Sequence, residues 1–128
     1  MQYYDPRPYS EQEIIDVIKS NDEEQISDMM VGVAFNEPNY DVAFTIISQF
    51  ASSKFDRLRD ITVLCIGHLA IFHHRVSIYE VAEIINNALV DDSKDVRSRV
   101  QDALDDIEGS CPRQYAEMEP LLVNVKPQ

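Results

Sequence analysis

Three imidazoles stand at or near the end of one helical stretch, His68, His73 and His74, and they are the first groups to ask about metal or acid–base chemistry. An i, i+5 separation turns His68 and His73 about 140° apart around a helix, which is wrong for shared ligation. No metal site is therefore expected. The chain has no Glu-x-x-His pair, no His-Glu-x-x-His, no Cys-x-x-Cys, no Gly-x-Ser-x-Gly and no phosphate loop. Its only glycines, Gly32, Gly67 and Gly109, make no glycine-rich cradle for a cofactor. Cys65 lies between Leu64 and Ile66, without the polar, positive surroundings a thiolate nucleophile needs, and reads as a small core residue. No catalytic residue and no cofactor is assigned, and the chain is not expected to be an enzyme.

The chemistry that remains is that of carboxylates. Eleven Lys and Arg against 23 Asp and Glu give a formal net charge of −12, a balance that repels nucleic acid and anionic membranes and attracts basic protein surfaces. The acids are unevenly placed: residues 1–53 hold ten against Arg7 and Lys19, residues 76–109 hold nine against three bases, and residues 54–75 hold two against four. Asp22, Glu23, Glu24 and Asp28 crowd a second helix, where acids at the N-terminus suit the macrodipole. Asp102, Asp105, Asp106 and Glu108 crowd a sixth helix near its C-terminus, where acids oppose the dipole. Such acids cost stability unless something else selects them; a basic partner is one such reason, and a solvated face is the other reading. Asp102, Asp105 and Asp106, expected to point to solvent, are the first candidate partner-binding residues. Asp60 and Asp28 extend the same acidic surface, and Tyr79 is the candidate aromatic anchor.

Six helices must position these residues. Ser10 with Glu13 is a capping-box pattern opening a helix to about Ser20, with Ile14, Ile15, Val17 and Ile18 as its apolar positions. Asn21 or Asp22 starts a second, to about Phe35, carrying Ile26, Met29, Met30, Val33 and Ala34. The third runs from about Asn39 to Ser52, and the fourth, from about Phe55 to His73, faces Leu58, Ile61, Leu64, Cys65, Leu69 and Phe72 to the core. Ser77 caps the fifth, through Val90, with Val81, Ile84, Ile85 and Leu89 buried; Ser93 caps the sixth, which ends at Gly109 as a C′ residue before Cys111-Pro112. The tail beyond either packs across the last helix or hangs free. With 128 residues, 45% of them hydrophobic, one domain is expected, 1–128, with a helical core of about 10–109 and a tail of 110–128. No run reaches the length of a membrane span, the start has no signal-peptide core, and the two cysteines have no disulfide-scaffold spacing, so a cytoplasmic protein is expected.

A 38-residue echo organises the helices. Leu58-Arg59, Thr62, Cys65-Ile66 and Leu69 recur in kind as Val96-Arg97, Val100, Ala103-Leu104 and Ile107, and Ala43, Ile46-Ile47 and Ala51 are answered by Val81, Ile84-Ile85 and Leu89. A two-helix unit used twice cannot bury its apolar stripe alone, so units must stack. The short connections make three αα-hairpins. Asp95-Val96-Arg97 with Ala103-Leu104, and Asp56 with Leu58-Arg59 and Gly67, resemble HEAT-type repeats; the first hairpin departs from the pattern, with Glu24 where the arginine would stand. The expected fold is all-α, three αα-hairpins stacked as a short HEAT-like α-solenoid. The resemblance implies that Arg59 and Arg97 contact acids of adjacent repeats; Arg57 and Arg99, outside that pattern, are read as balancing charge.

A single acidic all-helical domain of this size also resembles the immunity proteins of bacterial contact-dependent growth inhibition systems, over roughly residues 10–110. That resemblance implies a tight complex with the C-terminal toxin domain of a cognate effector, commonly a nuclease, whose basic cleft favours an acidic inhibitor. Two other readings fit the same residues: an acidic DNA mimic that inhibits a nucleic-acid-binding protein, and a HEAT-like scaffold or lyase subunit.

Overall fold

The computed structural model describes residues 6–123; Tyr3, Tyr4 and Pro127 lie outside them. The helices are α1 Glu11–Ser20, α2 Glu23–Asn36, α3 Tyr40–Ser48, α4 Asp56–His73, α5 Ile78–Leu89, α6 Lys94–Ser110 and α7 Pro112–Met118, followed by a 3-10 turn at Glu119–Leu121. The N-terminal signals act as their chemistry demands. Ser10 and Glu13 close a full capping box, and the side chains of Asp22, Asn39 and Ser93 accept from the third residue beyond them.

The register is the one the sequence echo implies. α3 and α5 start at Tyr40 and Ile78, and α4 and α6 at Asp56 and Lys94, both pairs 38 residues apart. Ile47 and Ile85 are both fully buried, while Ile46 and Ile84 are both half-buried. Even a corner hydrogen bond repeats, since Arg59 donates to the Ser53 carbonyl at 2.8 Å and Arg97 to the Asp91 carbonyl at 2.6 Å. The two arginines then part company. Arg59 reaches the next hairpin, donating to Asp91 Oδ2 at 2.8 Å and Oδ1 at 3.0 Å, whereas Arg97 is held by the carbonyls of its own corner, because the chain beyond α6 turns into α7 rather than into another such corner.

The long helices α2, α4 and α6 lie side by side with α4 in the middle; α3 packs on α2 and α4, α5 on α4 and α6, and α1 on α2 alone. α3 and α5 do not touch each other, which leaves a groove of about 470 Å³ between them, floored by Val63 and Val96. Tyr40 ties the second and third hairpins together, its hydroxyl accepting from the Ser77 N–H at 2.9 Å and from the Ser77 hydroxyl at 3.1 Å. The Ser77 hydroxyl is turned towards Tyr40, and Ser77 stands at the N-cap of α5 without a side-chain cap bond.

Two further expectations need correction. α3 stops at Ser48, and successive turns follow that bring Phe50 into the core. α6 does not end at Gly109 but runs on to Ser110, with Cys111 as its cap. The tail, left open between packing and hanging free, packs against α6 and α5 as far as Val123. Pro112, with its fixed φ and absent N–H, suits a first helical position and opens α7. Met118 and Leu122 are buried, and Asn86 on α5 clasps the segment through Leu121 O and Val123 N, each at 3.0 Å. Cys65 is wholly buried, its thiol pushed up to about 12 by that burial. Among the described residues no helix is long and apolar enough to cross a membrane.

Candidate functional site

The side of the long-helix layer turned away from α3 and α5 gathers most of the candidate residues. On α4, positions 57, 61, 64, 68 and 72 recur at helical spacing and are exposed or half-buried, whereas Val63 and Arg59 look the other way, into the groove. Asp60 stands at the α4–α6 seam, accepting from Arg99 Nε at 2.8 Å. Arg99 NH1 lies 3.9 Å from Asp102, and Asp60, Asp95, Ser98, Arg99 and Asp102 line one open depression. One guanidinium thus draws acids from two helices together, and the Asp60 bond stabilises its charge.

Asp105 is exposed and accepts from Gln101 Nε2 at 2.9 Å. Asp106 does not point to solvent as expected. It is half-buried, because α6 lies so close to α4 that a Cβ built on Gly67 would stand 2.7 Å from Asp106 Oδ2 and 3.3 Å from Ala103 Cα. Gly67 is what lets the carboxylate settle onto α4, beside His68. The dipole argument for these acids also narrows: with α6 continuing to Ser110, Asp102 stands more than a turn from the end, where the dipole has faded.

On α2, Asp28 is half-buried, with Oδ1 covered and without a hydrogen-bond partner. Burial lifts its carboxyl above the usual range, Glu24 adds to the effect and Arg57 opposes it. Between Asp28 and the α6 acids lies a feature that sequence reasoning missed. The Phe35 ring meets His68 edge-on at 5.3 Å and Phe72 at 4.8 Å, and Phe35 and Phe72 are each 45% exposed. Phe72, expected in the core, belongs instead to this surface cluster. α4 is flanked on both sides and leaned upon, so it is apolar almost all round, and its periodicity cannot tell an inner row from an outer one. Burial holds the His68 imidazole below its ordinary value, with Asp106 opposing and Arg99 reinforcing the shift, and its Nδ1 is covered and unpartnered.

Tyr79 is apart from these residues. It is 76% exposed on α5, in the layer of short helices. Of the other tyrosines, Tyr40 is buried and Tyr9 and Tyr115 are half-buried. No group of three or more His, Cys, Asp or Glu side chains is arranged to hold a metal among the described residues.

No protein-family model matches the chain, and no curated protein matches it. A solved structure does. A chain from the crystal structure of the CDI complex of Cupriavidus taiwanensis, CDI being contact-dependent growth inhibition, is similar at a TM-score of 0.72 and 31% sequence identity, over 84% of this chain and 96% of that one. Identity at that level over nearly the whole of the other chain carries more than a shared helical fold, and together with the all-helical acidic architecture it places this chain in the family of contact-dependent growth inhibition immunity proteins.

Proposed function

We propose that the chain protects its cell by binding a cognate toxin domain in a tight stoichiometric complex, that the toxin domain is basic, and that it is a nuclease. The likeness to a chain of a CDI complex carries the toxin–immunity reading. The net charge of −12 and the carboxylates gathered on one side of α2, α4 and α6 support the basic partner. A nuclease must hold a polyanion, so its cleft concentrates positive charge; an acidic face attracts that cleft over a distance and competes for it at contact. Action is by occupancy, with no bond made or broken. Mimicry of DNA fits less well, because Arg57, Arg99 and aromatic rings interrupt the acids, where a phosphate-like edge would be uniformly anionic. The test is co-expression with the C-terminal toxin domain of the cognate effector. Growth restored by this chain, with a one-to-one complex recovered on size exclusion, is the expected result; no protection and no complex would overturn the reading.

A further inference from the structure

We propose that the toxin docks through an aromatic notch formed by Phe35, His68 and Phe72, receiving there an apolar side chain flanked on its own surface by two basic ones, which meet Asp28 on one flank and Asp102 and Asp106 on the other. This rests on the toxin-binding reading and deepens it by naming the contact surface and the chemistry of what fits it.

Several independent observations converge on the notch. Two phenylalanines, each 45% exposed, stack edge-to-face across α2 and α4 with a centroid separation of 4.8 Å, and Ile71 beside them is 38% exposed. Aromatic groups held rigidly at a surface lose little freedom on binding and fill interface centres well. Asp28 and Phe35 are seven residues apart on one helix, so the carboxylate lies about 10 Å along the axis from the ring, within one contact patch. On the far flank Asp106 is held over Gly67 next to His68, with Asp102 one turn before it. The opposite groove between α3 and α5 also has acids on its rim, Glu80 and Glu83, but its floor arginine is already closed by Asp91 and no exposed aromatic pair stands over it.

The experiment measures affinity of the full chain for the same cognate toxin domain, comparing two sets of variants. Phe72→Ala and Asp28→Asn alter the notch; Glu80→Gln and Glu83→Gln alter the groove. All four positions are half-buried or exposed, and circular dichroism with melting curves checks that each variant is folded. The expected result is a loss of at least tenfold for each notch variant and less than threefold for each groove variant. A loss confined to the groove set, an equal loss in both sets, or none in either while the unaltered chain still binds would overturn the notch and leave the toxin-binding reading standing. Failure of the unaltered chain to bind would overturn both.

Discussion

At the scale of single residues, the groups that matter are charged side chains held where charge is uncomfortable. Asp28 has its carboxyl raised chiefly by burial, so above its ordinary value of 3.8 the ionised form costs the folded state. Asp28→Asn should therefore raise stability to urea at pH 7, with the gain shrinking as pH falls towards 3.8 and both states protonate; a loss at pH 7 would contradict it. His68 is the converse. Its folded value lies below the unfolded 6.5, with burial as the main cause, so its neutral form contributes stability that is present above pH 6.5 and lost as pH falls through and below it. His68→Gln should flatten that part of the pH–stability curve. Asp91 is held down by Arg59, and its contribution is present above pH 3.8 and lost on further acidification. Removing the arginine, by Arg59→Ala, leaves a largely covered carboxylate and should cost about 1–3 kcal/mol at neutral pH, read from chemical denaturation. That Arg59 reaches an acid of the next repeat follows from the HEAT-type resemblance; which acid it meets, and the Asp60–Arg99 pair, were not legible in sequence. Asp60–Arg99 and Arg59–Asp91 join residues more than 30 positions apart, and only helix packing brings them together.

At the scale of elements, much was legible, for reasons that can be located. Side-chain caps announce themselves locally, and Ser10, Asp22 and Ser93 were all readable because a cap needs only its own next three residues. The 38-residue echo was readable because matching core layers require matching apolar positions; Ile47 and Ile85 occupy them. Ile85→Ala should accordingly cost about 2–5 kcal/mol, whereas Ile84→Ala, at a half-buried position, should cost less; equal losses would contradict the register. What failed were features set by a neighbouring element. The rotation of α4 about its axis put Phe72 outside, the Ser77 hydroxyl faces Tyr40 rather than capping α5, and the close approach of α6 turned Asp106 inward over Gly67. That approach makes its own prediction: Gly67→Ala should destabilise by about 1–3 kcal/mol as α4 and α6 are pushed apart, and an unchanged melting temperature would show that the seam yields freely.

At the scale of the whole molecule, the division of labour is between two sides of one helical layer. The side towards α3 and α5 builds the core and a groove, and the other collects carboxylates around an aromatic centre. Charge on that side should act chiefly on encounter, since long-range attraction speeds association and is screened within about 8–10 Å at physiological salt. Asp102→Asn with Asp106→Asn should leave folding intact while weakening toxin binding more than tenfold, about 1.4 kcal/mol. The most direct test is the association rate constant for the cognate toxin domain, followed by stopped flow as salt is raised. An acidic face that steers a basic partner predicts a steep fall in association rate with little change in dissociation, and a shallower fall for the double variant. An association rate indifferent to salt, or identical slopes for the two proteins, would contradict it.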